Sequence, residues 1–434
     1  LGDVYKRQGY IIAIAVVAIA VLMILLMAFA MPKFKIMQKL VDKVNLVSRE
    51  ILTGIPVIRA FSREKHEEKR FDDANKELTG VMLYTNRVMT FMMPALMIIM
   101  NVMSILIVWT SAHRIDAGVM EVGTMTAFIT YTMMIVMAFL MLTMISIMLP
   151  RAGVAADRID EVLKTEVSVN NSTDAVDAGR SKGVVRFNHV SFAYPEAEGK
   201  VLDDIDFEAS PGTTTAIIGS TGCGKSTLVN LIPRFFDVTE GSITLDGRDI
   251  RNITLESLRE NIGYVPQKGI LFSGTIADNI KYGQLVESDE DMLEAAEIAQ
   301  ATEFIEAKPD KYESQVAQGG NNVSGGQKQR LSIARAIARD PMIYIFDDSF
   351  SALDFKTDAA LRKALAPKVK DKTVLIVAQR ISTVMHAEQI IVLDDGKVAG
   401  IGTHKELMEN CEIYRQIAGS QLSESELKKS LEVK

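Results

Sequence analysis

Three long stretches of this sequence carry no charged residue, and they limit its possible folds more than any other feature. They cover residues 10–31, 88–112 and 122–150. The first contains 22 residues, which form a helix of about 33 Å at a rise of about 1.5 Å per residue. A bilayer's hydrocarbon core is about 30 Å thick, so each stretch is long enough to cross it. The sequence therefore predicts three membrane-spanning helices. Buried helices of a large soluble protein are the alternative, which the lengths disfavour.

The connections between these stretches differ in their basic residues. The connection over 32–87 is rich in Lys and Arg, whereas the short one over 113–121 contains only Arg114. Cytoplasmic loops carry the excess of positive charge, so 32–87 is expected inside the cell. Its apolar residues keep a helical period until Gly54, Ile55 and Pro56, where we expect the helix to break. The result would be a hairpin with its tip near 60–64, either a lever that touches another domain or a solvated pair of helices.

After residue 150 the composition changes. Nineteen of the 23 methionines precede residue 151, whereas from residue 183 onward apolar strands, turns and charged helices alternate as in an α/β domain. We therefore expect a partial transmembrane domain over 9–163, a linker over 164–182, an α/β domain over 183–420 and a polar tail over 421–434. Residues 1–8, LGDVYKRQ, resemble a translated sequencing adapter and are left out of this division.

The sequence GSTGCGKST, residues 219–227, follows an apolar run and precedes a helix-like segment. Its spacing is that of the motif G-x-x-x-x-G-K-[ST], which cradles phosphate between a strand and a helix. Glycines let successive N–H groups face one anion, Lys225 reaches the outer phosphates, and the Ser226 hydroxyl holds Mg²⁺. The motif predicts a site for ATP and Mg²⁺ formed by Gly219, Ser220, Thr221, Gly222, Cys223, Gly224, Lys225, Ser226 and Thr227. Residues 183–420 are therefore identified as a nucleotide-binding domain.

Three further residues are expected at the same nucleotide. Asp347 follows four apolar residues in MIYIFDD, which indicates a buried strand leading to a Mg²⁺ ligand rather than a surface acidic pair. Gln267 in YVPQ ends another strand and could reach Mg²⁺ or the attacking water, although the signal is weak by itself. Tyr194 ends the strand-like VVRFNHVSFAY and could stack on adenine, although a lone aromatic belongs more often to a core or an edge.

A second anion-binding helix terminus is expected where VSGGQKQR opens a helix. Its members are Ser324, Gly325, Gly326 and Gln327, with the two glycine N–H groups facing the anion. Asp354 in SALD and Gln379 in VLIVAQR, the latter at the end of another apolar strand, complete the series of motifs.

In their fixed order, these motifs resemble half of an ABC transporter of the exporter type, over residues 10 to about 420. The resemblance implies a multi-domain fold, an α-helical transmembrane domain followed by an α/β P-loop ABC ATPase domain. It assigns Tyr194 to adenine stacking, 219–227 to Walker A, Gln267 to the Q-loop, 324–327 to the signature, Asp347 to Walker B and Asp354 to the D-loop. Exporter halves of the family have six spans, so the three seen here resemble the last three.

The same resemblance implies a dimer. Each ATP would lie between the Walker A of one half and the signature of the other. The cytoplasmic hairpin around IRAFSRE would correspond to a coupling helix that docks on the partner's ATPase.

Two positions depart from the family pattern at one site. The catalytic glutamate after Walker B is Asp348 here, and the switch histidine is Gln379. Asp is one methylene shorter than Glu, and a base must lie within about 2.6 to 3.2 Å of the proton it takes. Gln379 can form hydrogen bonds but cannot titrate near neutral pH. The pair resembles the degenerate subunit of heterodimeric exporters, whose intact signature serves the partner's site.

We therefore expect an ATP-binding/permease subunit that couples ATP hydrolysis to export of a hydrophobic or amphipathic substrate across the plasma membrane, with its ATPase domain in the cytoplasm. A lipid or peptide exporter and an ATP-binding regulatory subunit are the alternatives. The spans disfavour a soluble ABC ATPase of DNA repair or translation, and the fusion of both domains disfavours an importer. The net charge of −7 does not support nucleic-acid binding. The only cysteines, Cys223 and Cys411, cannot form a disulfide framework and suit a reducing cytosol.

Overall fold

A computed structural model describes residues 2–195 and 197–432. The chain divides into two compact units, Leu1–Thr165 and Glu166–Lys434, and each is described by itself. Of the predicted terminal segments 1–8 and 421–434, residues 1, 433 and 434 lie outside the described residues.

The first unit is helical. Its helices are α1 (Gly2–Ala60), α2 (Glu64–Thr90), α3 (Met92–Asp116) and α4 (Val122–Lys164). The helical stretches long and apolar enough to cross a membrane are Gly9–Ala60, Glu64–Asp116 and Val122–Leu142. The predicted spans 10–31 and 122–150 lie within α1 and α4, and the span 88–112 passes through Phe91, where α2 gives way to α3. Phe91 keeps helical dihedrals (φ −67°, ψ −19°), so the direction of the chain changes little there.

The second half of α1 and α2 form the hairpin predicted over 32–87. Val47 and Ala74 are buried in this unit. Lys43 forms an ion pair with Glu77 at 2.8 Å, and Arg70 forms another with Glu50. All four charged side chains are about half exposed, so these pairs contribute little to stability. Apolar contact between the two helices therefore stabilises the hairpin more than the ion pairs do.

The predicted break at Gly54, Ile55 and Pro56 is wrong. Helix α1 passes through Pro56 and ends at Ala60, and the chain reverses over 61–63, with Ser62 in the left-handed region (φ 52°). Pro56 removes one N–H group from the helix ladder, but Pro56 and Leu52 are both exposed, so water can reach the carbonyl left unpaired. The turn itself falls within the tip expected near 60–64.

The second unit combines strands and helices. The strands are β1 (Val185–Phe192), β2 (Leu202–Ala209), β3 (Thr214–Gly219), β4 (Glu240–Leu245), β5 (Arg248–Asp249), β6 (Ile262–Val265), β7 (Gly274–Thr275), β8 (Gln315–Val316), β9 (Ile343–Asp347), β10 (Thr373–Val377), β11 (Gln389–Asp394) and β12 (Lys397–Gly402). The helices are α5 (Lys225–Leu231), α6 (Leu255–Glu260), α7 (Ile276–Lys281), α8 (Asp289–Ile298), α9 (Thr302–Glu306), α10 (Gly325–Ala338), α11 (Phe355–Lys368), α12 (Ile381–Val384), α13 (His404–Asn410), α14 (Glu412–Gln421) and α15 (Glu424–Glu432).

The main sheet has the strand order β12-β11-β3-β10-β9-β6. Strands β11, β3, β10, β9 and β6 are parallel, and β12 is antiparallel to β11. Every residue of β9 and β10 is buried, which is why these strands read as continuous apolar runs rather than alternating ones. Because the strands are parallel, the carboxyl ends of β3, β10, β9 and β6 lie along one edge of the sheet, where open α/β sheets bind their ligands.

Two apolar cores lie on opposite faces of this sheet. Within β3, Ala216 and Ile218 belong to the core that includes Leu331 of α10, whereas Ile217 belongs to the core that includes Phe187 of β1. The second core also receives the antiparallel sheet β2-β1-β4-β5. Successive side chains of β3 therefore pack into opposite cores, and this packing fixes the start of the 219–227 loop.

The predicted linker, from residue 166 onward, and the predicted polar tail both contact this unit. In the segment 164–182, the Ala178 N–H donates to Ser257 Oγ at 2.8 Å and the Ser181 N–H donates to Asn261 Oδ1 at 2.9 Å. In the segment 421–434, α15 packs Leu427 against the core. Long-range hydrogen bonds, which leave no local periodicity in the sequence, hold the first segment in place.

Candidate nucleotide-binding site

The 219–227 loop connects β3 to α5 and depends on two glycines. A Cβ atom at Gly219 would lie 2.1 Å from the carbonyl oxygen of Leu393 on β11. Gly224 has φ 97°, and a Cβ atom there would lie 2.8 Å from Leu202 Cδ2. At Gly219 no other residue fits without moving the backbone, and at Gly224 the positive φ would strain any other residue. The tight loop and its packing against β11 therefore require the glycines of the motif.

Lys225 lies beneath this loop and is only 8% exposed. Its ammonium group donates to the carbonyl oxygens of Gly219 at 2.8 Å and Ser220 at 2.6 Å. A polyphosphate in the loop would offer this cation anionic oxygens, which are stronger acceptors than neutral carbonyls. The same residue thus holds the loop in shape and supplies its positive charge.

Asp347 and Ser226 form the second part of the site. The Ser226 hydroxyl donates to Asp347 Oδ1 at 2.9 Å. Asp347 is 3% exposed, and this burial raises the pKa of its carboxyl group, partly offset by the hydrogen bond from Ser226. The last residue of β9 therefore presents a buried carboxylate to the phosphate loop.

This donor set fits Mg²⁺. Among the described residues, no group of three or more His, Cys, Asp or Glu side chains could hold a metal ion. A hydroxyl, a carboxylate and the nearby Gln267 amide are hard oxygen donors, and Mg²⁺ is commonly bound by one or two carboxylates together with substrate phosphates and water. The ion would therefore depend on the nucleotide for part of its coordination.

Asp348 follows Asp347 and turns away from the strand in the left-handed region (φ 47°), which Asp adopts more readily than most residues. Its Oδ2 accepts a hydrogen bond from Gln379 Nε2 at 2.9 Å. Burial raises the pKa of the Asp348 carboxyl group, and a hydrogen bond from the Gln267 side chain partly offsets that shift. The neutral amide of Gln379 thus orients this carboxylate, and it cannot take up a proton near neutral pH.

One cavity of about 220 Å³ brings these groups together. It is lined by Val201, Thr221, Gly222, Gly224, Lys225, Ser226, Thr227, Gln267, Asp347, Asp348, Val377 and Gln379. Four parallel strands that are neighbours in the sheet supply the motif residues: β3 precedes the loop, β6 precedes Gln267, β9 ends at Asp347, and β10 precedes Gln379. Four motifs scattered over the sequence therefore meet at one sheet edge.

The structure places Tyr194 beside the phosphate loop. Its hydroxyl lies 3.0 Å from Thr227 Oγ1, and its half-buried ring packs edge-on against Phe192 and Phe236 at centroid distances of 4.9 and 5.2 Å. Adenine stacking by Tyr194 stays a prediction, since the ring also has a packing role.

Ser324 and Asp354 do not line the cavity. Ser324 caps α10: its Oγ accepts from the Gln327 N–H at 3.3 Å, while the Gln327 side chain accepts from the Ser324 N–H at 3.1 Å. Gly325 and Gly326 form the first turn of the same helix. Asp354 caps α11 by accepting from the Thr357 N–H at 3.0 Å and from its hydroxyl, and these bonds lower the pKa of Asp354. The 324–327 segment and Asp354 therefore lie outside the lining of this cavity.

Two cavity residues were not foreseen from the sequence. Val377 could have been found, because it ends the apolar strand β10 two residues before Gln379. Val201, just before β2, carries no local signal.

Two family models match the chain. The model of the ABC transporter transmembrane region matches residues 8–139, and the ABC transporter model matches residues 202–351. An uncharacterized ABC transporter ATP-binding protein of Mycobacterium tuberculosis is 44% identical over 95% of this chain and 71% of its own length. The putative multidrug export ATP-binding/permease protein YgaD of Bacillus subtilis is 37% identical over 85% of this chain and 63% of its own length.

Among solved structures, a bacterial Atm1-family ABC exporter with ATP bound has a TM-score of 0.82 and 28% identity, over 96% of this chain and 73% of that chain. The resemblance inferred from the motifs, and the fold class that it implied, are confirmed by these matches. The chain therefore belongs to the ABC transporter family, as an exporter half in which a transmembrane region is fused to an ATP-hydrolysing domain.

Proposed function

We propose that this chain is one half of a heterodimeric exporter and that the ATP site built on its own Walker motifs hydrolyses slowly. The hydrogen bond between Gln379 Nε2 and Asp348 Oδ2, 2.9 Å long, carries the proposal. It joins, at the nucleotide cavity, the two residues that depart from the family pattern.

The chemistry of this pair explains the slow rate. Hydrolysis requires a base that takes a proton from the attacking water, and the carboxylate of Asp348 is the candidate. It is one methylene shorter than Glu, and loss of a well-placed base removes about 10² to 10⁴-fold in rate. Gln379 orients Asp348 but cannot accept or pass on a proton. The residual hydrolysis depends on Asp348 being held in its best orientation.

ATP binding is expected to survive these changes. The loop glycines, Lys225, Ser226 and Asp347 retain the residue types that the motif requires. Ser226, Asp347 and Gln267 would hold Mg²⁺ next to the phosphates, and the ion would supply positive charge against the negative charge that develops during hydrolysis. This site should therefore hold MgATP for much longer than a fully active one.

The intact 324–327 segment supports a role at a second site. Because Ser324 and its glycines lie outside the chain's own cavity, they are available to an ATP molecule held by another exporter half. That partner would retain Glu and His at the positions of Asp348 and Gln379, and its site would hydrolyse at the normal rate.

A homodimer is the second candidate. The same intact segment would let two copies of this chain complete two equal sites, both slow. A regulatory subunit that binds ATP without transport is the third, and it predicts nucleotide binding without substrate movement in purified, reconstituted protein.

The substrate proposed is hydrophobic or amphipathic, by analogy with the relatives named as putative multidrug exporters; lipids and peptides fall within that class. The plasma membrane, with the nucleotide-binding domain in the cytoplasm, is the proposed location, because the Lys- and Arg-rich hairpin over 32–87 favours the inside.

The test is to count hydrolysed and trapped nucleotide at each site of the purified assembly. Asp348→Glu should raise hydrolysis at this chain's site in part, and Asp348→Glu with Gln379→His should raise it further, since both groups act on one transition state. Equal turnover at both sites, or full activity of this chain alone, would refute the slow-site proposal.

Ser324→Ala tests whether the 324–327 segment acts at the ATP site of the partner. It should strongly reduce hydrolysis at the partner's site. Because Ser324 also caps α10, its loss costs about 1 kcal/mol of stability by itself. Ser288→Ala is the matched control, since Ser288 caps α8 by accepting from the Asp291 N–H at 3.2 Å and has no place in the motifs. Equal losses in the two variants would assign the Ser324 effect to capping alone.

A further inference from the structure

Gln421, the last residue of α14, reaches the loop that follows β10. Its Oε1 accepts a hydrogen bond from the Ile381 N–H at 2.8 Å, and its Nε2 donates to the carbonyl oxygen of Gln379 at 2.8 Å. One amide side chain thus holds the main chain on both sides of Arg380. An amide has one acceptor and two donors, and this geometry uses both functions.

The helix that carries Gln421 is firmly anchored. Tyr414 and Ala418 are fully buried in the core, and the Tyr414 hydroxyl bonds His404 Nδ1 at 2.8 Å. Positions 414, 418 and 421 are spaced i, i+4 and i+7, so they lie on one face of α14. The buried face therefore directs Gln421 towards the loop after β10.

The loop itself is short of internal support. Helix α12 has only four residues, Ile381–Val384, and its N-cap residue Arg380 makes no side-chain capping bond. The Ile381 N–H is one of the donors that a helix start leaves unpaired. Gln421 supplies the missing acceptor and, through its second bond, fixes the peptide that follows the Gln379 side chain.

Fixing that peptide fixes where the Gln379 amide points. Gln379 is exposed, and its described side-chain hydrogen bond is the one to Asp348 Oδ2. A rotation of the backbone at Gln379 would carry its Nε2 away from Asp348. The main-chain contacts of Gln421 therefore act on the orientation of the Asp348 carboxylate.

We propose that Gln421 is a positioning residue for ATP hydrolysis, which holds the loop after β10 so that Gln379 keeps Asp348 oriented at the nucleotide cavity. The inference rests on the proposed role of Asp348 and Gln379 in hydrolysis. It adds a residue from the segment 421–434, which has no catalytic motif, and it makes the docked C-terminal helices part of the ATPase site.

The test replaces Gln421 with Met, which has a similar length and offers neither strong hydrogen bond, and with Glu, which keeps the acceptor for Ile381 but loses the donor to Gln379. Gln416→Met is the matched control, because Gln416 is an exposed residue of the same helix, and its described side-chain hydrogen bond is to Glu412 at 3.4 Å. Single-turnover hydrolysis is measured in the assembled transporter, with the second ATP site inactivated where the two halves differ. ATP affinity and melting temperature are measured on the same samples.

We expect Gln421→Met to slow hydrolysis roughly fivefold to thirtyfold, the effect of losing two ordinary hydrogen bonds. ATP affinity should not change, because the phosphate loop and Asp347 are untouched. Gln421→Glu should also slow hydrolysis, and Gln416→Met should not. The same comparisons in an Asp348→Glu background give a larger signal if the native rate is very low.

Gln379→Ala distinguishes the possible failures. If Gln421 acts through Gln379, adding Gln421→Met to Gln379→Ala should slow hydrolysis no further. Three results would overturn the role of Gln421 and leave the proposed function standing. These are additive effects of the two substitutions on the hydrolysis rate, a parallel loss of ATP affinity in Gln421→Met, and normal hydrolysis in Gln421→Met while Gln379→Ala is slow. Normal hydrolysis in Gln379→Ala would overturn both the role of Gln421 and the proposed function. The absence of hydrolysis at this site, with either the native Asp348 or Asp348→Glu, would also overturn both.

Discussion

Gly219→Ala offers a severe test of the phosphate loop, because the clash it creates is with main chain rather than with a movable side chain. The added Cβ would lie 2.1 Å from the Leu393 carbonyl oxygen and 2.7 Å from Cys223 Sγ. Ordinary contact between such atoms is about 3.5 Å, so the loop must move by more than about 1 Å or β3 must separate from β11 at their last paired residues, Gly219 and Leu393.

Overpacking of this kind costs about 1 to 3 kcal/mol. Since about 1.4 kcal/mol corresponds to a factor of ten in binding, displacement of the loop should weaken ATP binding roughly tenfold to a hundredfold. The melting temperature of the purified transporter measures the loss of stability, and its change during titration with MgATP measures the loss of ATP affinity.

Gly222→Ala is the control within the same loop. Gly222 has φ 88°, and an added Cβ would meet nothing within 4 Å, so this variant suffers only the left-handed backbone penalty of about 1 to 2 kcal/mol. Gly219→Ala should therefore be the more damaging change. Equal ATP affinities in the two variants would show that the contact with Leu393 does not shape the loop.

Two further predictions concern the membrane topology and the buried carboxylate. A cysteine introduced near residue 63 should react with an impermeant reagent only after cells are opened, and labelling of intact cells would contradict the proposal that the hairpin lies in the cytoplasm. Asp347→Asn should raise the melting temperature of the Mg²⁺-free protein at pH 7, because burial raises the pKa of Asp347 and so penalises its charged form. The free-energy penalty of the buried charge disappears as pH falls through the raised pKa of folded Asp347. The gain in melting temperature from Asp347→Asn should therefore shrink on acidification. Asp347→Asn should also lose the stabilisation that MgATP gives the native protein. A lower melting temperature than that of the native protein at pH 7, without Mg²⁺, would refute the prediction.

The residues at the carboxyl ends of β9 and β10 could be predicted because fully buried parallel strands leave a strong local signal. A run of apolar residues that stops at a polar one marks both the strand and the residue it presents, as in Asp347 and Gln379. The phosphate loop was predictable for a similar reason, since its glycines and Lys225 lie within nine consecutive residues. In each case the information is contained in one short segment.

Contacts between distant segments could not be read in this way. Gln421 meets Gln379 because α14 packs on α12, and nothing within the polar segment after Ala418 indicates such a contact. At Pro56 the error was of the opposite kind. The local sequence predicted the end of a helix, but the helix continues because the lost hydrogen bond is tolerated in an exposed part of the chain. Local patterns therefore predicted the motifs and missed the supports that hold them.

The strand order has a consequence for the synthesis of the protein. Strand β3, which carries the phosphate loop, pairs only with strands made much later: Thr214 lies opposite Val374 of β10, and Thr215 lies opposite Gln389 of β11. A growing chain therefore exposes the uncharged segment TTAIIG without partners until both later strands have left the ribosome. Such unpaired apolar strands are prone to aggregate and slow to fold, because distant pairings close large loops. ATP cannot stabilise the nascent domain during this interval, so a ribosome pause before residue 373 should leave the chain dependent on chaperones.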